Sequence, residues 1–167
     1  MTNALANRQG QLAPLSKVDP KDVLDRYLGG ETGPEIAKSL GVKVIGTVGS
    51  DEKAKLAKKW GCDHTIVYTR ENFAERVKEI TKGRGVDVVF DSVGKDTFQG
   101  SLDSLHKYGL MVSYGNASGK VAPFGVEVLK GSLFLTRPSL FPYTEKRDEL
   151  ELTANDMIKD RKSTRLN

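Results

Sequence analysis

Hydrophobic residues in this chain come in short runs that stop in small, turn-forming residues. VDVVFDSVG (Val86 to Gly94) and YGLMVSYGNASG (Tyr108 to Gly119) are the clearest. Predominantly apolar runs ended in this way predict strands buried on both faces, with tips open to a ligand. Upstream, KVIGTV (Lys43 to Val48) and HTIVY (His64 to Tyr68) read as two further strands. Between them, DEKAKLAKKW (Asp51 to Trp60) carries Ala54, Leu56, Ala57 and Trp60, which include a helical spacing. ENFAERVKEITK (Glu71 to Lys82) repeats Phe73, Ala74, Val77 and Ile80 along one helix face, and GRG (Gly83 to Gly85) ends it. Another helix is predicted from about Lys95 to His106, with Phe98, Leu102 and Leu105 as its buried stripe.

Strand, helix and strand joined by short loops call for parallel crossovers. The fold class expected is therefore α/β, a doubly wound, mostly parallel sheet of the Rossmann type. SLFLTRP (Ser132 to Pro138) adds a late strand stopped by Pro138, and Glu145 to Asp160 reads as a charged helix. The first forty residues break the rhythm. Residues 1–17 are polar and without periodicity, so disorder is expected there. Asp19 and Pro20 can open one short helix and Pro34 a second, ended by Gly41. The organisation read from this is a disordered 1–17, a short helical segment over 18–40, a partial dinucleotide-binding domain over 41–158 and a tail over 159–167.

The 167 residues, 38% apolar and 29% charged, fit one well-buried domain. No apolar run approaches a membrane span, and MTNALANRQGQLAPLS lacks an export signal, so a cytoplasmic location is expected. Cys62 is alone, and neither His64 nor His106 stands at zinc-ligand spacing from it, which argues against a metal site. A net charge of +4 is spread among acidic residues, giving no concentrated nucleic-acid surface.

Three segments carry a family resemblance: AKSLGVKVIGTVGSDEKAKLAKKWGCDHTIVY, VDVVFDSVGKDTFQGSLDSLHKYGLMVSYGNASG and KGSLFLTRPSL. Together they resemble the zinc-free quinone oxidoreductases of the medium-chain dehydrogenase/reductase superfamily, the zeta-crystallin-like enzymes. The resemblance runs from about Ala37 to Ile158 and implies the nucleotide-binding domain of an NADPH-dependent enzyme. Such an enzyme passes hydride from NADPH directly to a quinone or enone, so no residue of this chain is expected to act as a nucleophile.

The end of a second Rossmann strand is where adenine ribose is recognised, and an acid there would bind a 2′-hydroxyl and repel a 2′-phosphate. This chain has Gly49 and Ser50 at that place, with Lys53 one helical turn on. By resemblance, Ser50 and Lys53 form the 2′-phosphate site; the bland alternative is a serine-capped, solvated helix. Asp51 and Glu52 weaken the positive field, though both can serve the helix N-terminus. Tyr68 is expected at the adenosine phosphate end, or simply packed against its neighbours. Ser92 and Val93, and one strand later Tyr114, Gly115 and Asn116, are expected to line the ribose and nicotinamide side through small residues that allow close backbone approach.

The pattern fails at the amino end. The family's first strand and its glycine-rich, pyrophosphate-binding turn should precede AKSLGV. LGGETGPEIAKSLGV (Leu28 to Val42) stands there instead, after a charged, helix-like DVLDRYL. Pro34 removes a donor where donors are wanted. Both the first strand and the turn are thus expected to be missing, together with the family's large substrate domain, and the sequence reads as a fragment. PEIAKSLGV also resembles the start of a helix-turn-helix, which leaves a nucleotide-sensing DNA-binding regulator as the alternative. The late strand suggests a homodimer, because in the wider superfamily its counterpart pairs with a second copy.

Overall fold

The computed structural model describes residues 2–7, 41–139, 145–148, 150–152, 154–155 and 158. Six strands form one sheet: β1 (Thr2–Asn7), β2 (Val42–Val48), β3 (His64–Val67), β4 (Val86–Asp91), β5 (Leu105–Ser113) and β6 (Phe134–Thr136). Their order across the sheet is β3-β2-β1-β4-β5-β6. Three helices, α1 (Asp51–Lys59), α2 (Phe73–Ile80) and α3 (Phe98–Asp103), link the parallel strands, and a 3-10 turn at Val126–Val128 precedes β6. This is the strand order of a doubly wound Rossmann-type sheet.

Parity explains the double winding. Along β2, Ile45 and Val48 are three residues apart and point to opposite faces, as do the adjacent Ile66 and Val67 of β3. Val48 and Val67 pack with Ala57 of α1, while Ile45 and Ile66 pack with Val77 of α2 and with Val86 and Val89 of β4. Met111 of β5, paired with Val89, continues the second face under Phe98 and Leu102 of α3. Burial on both faces therefore holds for β2 and β3. On the face away from α2 and α3, Val88, Phe90, Leu110 and Val112 are only partly buried, because no helix among the described residues covers them.

Two sequence expectations are corrected. The helix predicted to His106 stops at Asp103: the Ser104 carbonyl accepts from Val86 N at 2.9 Å, and Leu105 already pairs with Val86. Positive φ at Tyr108 and a register shift between Val86 and Val88 let β5 begin there as a strand. The larger correction concerns the segment expected to be disordered: its residues Thr2–Asn7 form β1, which occupies the sheet's central slot and runs antiparallel to both neighbours, unlike the parallel first strand of the family pattern. Thr2 faces Thr47 and Asn7 faces Val42. The chain therefore enters β1 at the edge where the parallel strands end and leaves it at the opposite edge.

The two short helices predicted within 18–40, and the glycines and Pro34 of Leu28 to Val42, fall outside the described residues apart from Gly41 and Val42. Of the predicted charged helix, residues 147–148, 150–152, 154–155 and 158 are helical.

Candidate functional site

Every predicted site residue follows the carboxyl end of a strand, as the register shows. Val48 pairs with Val67, Asp91 with Ser113, and Val112 with Thr136, so the tips of β2, β3, β4, β5 and β6 share one edge of the sheet. Two groups of residues stand along this edge, on either side of the β1 slot.

The first group surrounds the tips of β2 and β3. Ser50 caps α1 in extended backbone, its hydroxyl oxygen accepting from Lys53 N at 3.4 Å. The capping geometry expected of a solvated helix is therefore present, and it brings Lys53 into the first turn beside Ser50. Tyr68 lies across the neighbouring tip: a Cβ built on Gly49 would sit 3.2 Å from the Tyr68 hydroxyl oxygen. Thr69 Oγ1 donates to the Gly49 carbonyl at 3.3 Å, stitching the two tips together. Ser50, Lys53 and Tyr68 thus meet around one short stretch of backbone.

Asp51, expected to oppose an anion here, is engaged elsewhere. Arg70 reaches over from the β3 tip and forms a bidentate pair, Nη1 to Oδ2 at 2.7 Å and Nη2 to Oδ1 at 2.6 Å. The Arg70 hydrogen bond holds the Asp51 carboxyl below its ordinary value, and the same bond raises Arg70. Glu52 is also lowered, first by its own backbone N–H and then by the Ser50 hydroxyl. Both carboxyls lie below their ordinary values of 3.8 and 4.5, so both are ionised at neutral pH, and the Asp51–Arg70 pair is lost only as pH falls through the depressed Asp51 value.

The second group is built on Asp91. Its carboxylate is fully buried at the end of β4 and accepts from Val93 N at 2.8 Å, Gly94 N at 3.0 Å, Thr97 Oγ1 at 2.8 Å and Ser101 Oγ at 2.8 Å. That one side chain fixes the Ser92–Val93–Gly94 turn against α3. The next tip leans on this turn: Tyr114 N donates to the Asp91 carbonyl, Ala117 N to that of Ser92, and Ser118 N to that of Val93. A Cβ at Gly115 would collide with the Ser92 carbonyl, so only glycine permits this approach. The Asn116 amide, with its nitrogen turned to the Gly115 carbonyl (2.9 Å), accepts from Arg137 Nη2 at 3.0 Å. Arg137 Nη1 also donates to the Ser113 carbonyl at 3.2 Å.

Ser92, Val93, Tyr114, Gly115 and Asn116 are thus assembled into one wall, with Tyr114 and Asn116 exposed. Sequence reasoning missed Arg70, Arg137 and the carboxylate of Asp91 as an organiser. Arg137 carried a readable signal, a cation directly after the β6 tip, whereas the Arg70 pairing depends on how β2 and β3 align.

Cys62, His64 and His106 form no centre. Burial and then the Asp63 carboxylate raise the Cys62 thiol, and His106 Nε2 lies 2.7 Å from Asp87 Oδ1 in a cluster with Arg84 where β4 and β5 begin. No group of three or more His, Cys, Asp and Glu side chains is placed to hold a metal among the described residues. Nor is any helix among them long and apolar enough to cross a membrane.

The sequence pattern of the zinc-binding dehydrogenase family matches residues 30–151. A quinone oxidoreductase of Salmonella typhimurium is 54% identical over 124 residues, 73% of this chain and 38% of that protein. A 2-haloacrylate reductase of a Burkholderia species is 52% identical over 118 residues, 69% of this chain and 35% of its own length. Among solved structures, the Escherichia coli quinone oxidoreductase complexed with NADPH is similar with a TM-score of 0.66 and 50% identity, over 74% of this chain and 38% of that one. The chain thus spans between a third and two fifths of the length of each of these three relatives. None of these relatives lends support to a DNA-binding regulator.

Proposed function

Because this chain belongs to the zinc-binding dehydrogenase family, we propose that it is the NADPH-binding domain, over about residues 41–158, of an oxidoreductase that reduces a quinone or enone. The single observation that carries this reading is the alignment of both residue groups along the carboxyl ends of one Rossmann-type sheet. Ser50 and Lys53 would hold the 2′-phosphate, with the Tyr68 hydroxyl flanking them. Backbone at Ser92 and Val93, and at Tyr114, Gly115 and Asn116, would line the reactive half. Bound there, NADPH supplies the hydride and the electron-poor substrate accepts it. What the chain itself does is bind, orient and restrain. The buried Asp91 keeps the Ser92 turn rigid, and Arg137 holds Asn116 and the Ser113 carbonyl in register.

A homodimer through the β6 edge is part of the proposal: Phe134 is exposed at the end of the sheet, where a second copy of the strand would cover it. A cytoplasmic location and the absence of a nucleic-acid role complete it.

Cofactor affinity is expected to be weaker than low-micromolar. Backbone leaving β1 emerges at the wrong edge of the sheet to form a pyrophosphate cradle directly behind the strand. The test is a thermal-shift titration with NADPH and NADH side by side. At about ten times its Kd a ligand adds ~1.4 kcal/mol, a shift of roughly 3–5 °C for a chain of this size. NADPH should reach that shift at lower concentration than NADH, and Lys53→Ala should narrow the gap. Equal responses to the two cofactors would remove the 2′-phosphate assignment, and no response to either would remove the reading.

A further inference from the structure

The acids at the start of α1 pose a problem for a site that prefers the phosphorylated cofactor. A carboxylate beside the end of the second strand favours the plain ribose of NADH and repels a dianion. Asp51 stands one residue past Ser50, in the first turn of α1. Its carboxylate, however, is occupied on both oxygens by the two terminal nitrogens of Arg70, at 2.7 and 2.6 Å. Arg70 and Asp51 are each more than half exposed, at 57% and 56%. An ion pair this exposed is screened by solvent and adds little to folding. Its geometry is nonetheless the fork-to-fork arrangement that fixes a carboxylate in direction as well as in charge. The two partners belong to the two tips, β2 and β3, that also carry Ser50, Lys53 and Tyr68, and Thr69 is tied to Gly49 beside them.

Resting on the proposed function, we infer that Arg70 is a specificity-determining residue: it masks Asp51, so that the site reads as cationic toward a 2′-phosphate instead of acidic toward a 2′-hydroxyl. Arg70 acts through Asp51 and is thus a positioning residue. Its removal exposes a carboxylate and subtracts a cation at the same place, and both changes favour NADH.

The test measures the ratio of NADH to NADPH dissociation constants for the whole chain by fluorescence titration at low salt. Arg70→Ala should lower that ratio about tenfold or more, and Arg70→Lys, which keeps the charge without the fork, should fall between. The decisive variant is the double substitution Arg70→Ala with Asp51→Asn, which should recover most of the wild-type ratio because nothing is left to mask. Unliganded melting temperatures should stay close to wild type, since the pair is exposed. An unchanged ratio in Arg70→Ala, or a double variant that stays as poor as the single one, would overturn the inference while leaving the proposed function standing. A wild-type chain that responds to neither cofactor would overturn the proposed function itself, and this inference with it.

Discussion

Asp91 shows what a single side chain can organise. Four donors converge on its buried carboxylate, two from the backbone of the turn it precedes and two from hydroxyls on or beside α3. Alanine here would leave several of them buried without an acceptor, and we expect a loss of about 3 kcal/mol in urea unfolding. Asparagine keeps one acceptor oxygen and the shape, so its loss should be nearer ~1 kcal/mol. Similar losses for the two variants would contradict this account. Cys62 offers a second test. Its thiol is raised by burial and by Asp63, so less thiolate is available at neutral pH. Alkylation by iodoacetamide should run slower in the folded chain than in urea, followed by mass spectrometry; an equal rate would contradict the burial. At this scale the sequence revealed which residues follow the strand ends, but not which partners they choose. Ser50 as a cap was legible from its place before DEK, whereas the Asp51–Arg70 pair, nineteen positions apart, was not.

Among the elements, the tips at Ser92 and Gly115 act as one unit. Three backbone hydrogen bonds cross between them, and the absent side chain of Gly115 sets how close they come. Gly115→Ala must push the β5 tip away from Ser92. We expect it to weaken cofactor binding severalfold while costing about 1–3 kcal/mol, and a variant with normal affinity would show that the close approach is dispensable. Strands and helices from β2 to β5 were legible because each has a strong local period: two-sided apolar runs in the strands, and Phe73, Ala74, Val77 and Ile80 along α2. The misread element was the end of α3. Leu105 suits the buried stripe of a helix and the first position of a strand equally, and only the pairing with Val86, a long-range contact, decides between them.

For the whole molecule, the least legible feature is β1. TNALAN has no apolar run and no helical period, so nothing local marks it as a strand. It takes its place because β2 and β4 present two rows of backbone groups that need partners. The hold of β1 on the sheet is backbone pairing, and backbone chemistry tests it. A proline at Ala4 removes a donor from the middle of a central strand and should cost ~3 kcal/mol, with faster amide exchange in β2 and β4. Unchanged stability and exchange would mean that the sheet does not depend on β1.

The direction of β1 also has a practical consequence at the bench. Thr2 lies opposite Thr47, one residue short of the end of β2. Anything fused ahead of it, such as an affinity tag, a fluorescent reporter or a spin label, would be planted at the edge of the sheet where we propose that the coenzyme binds. A small paramagnetic or fluorescent group attached there becomes a built-in probe of occupancy, and a bulky one becomes an obstruction.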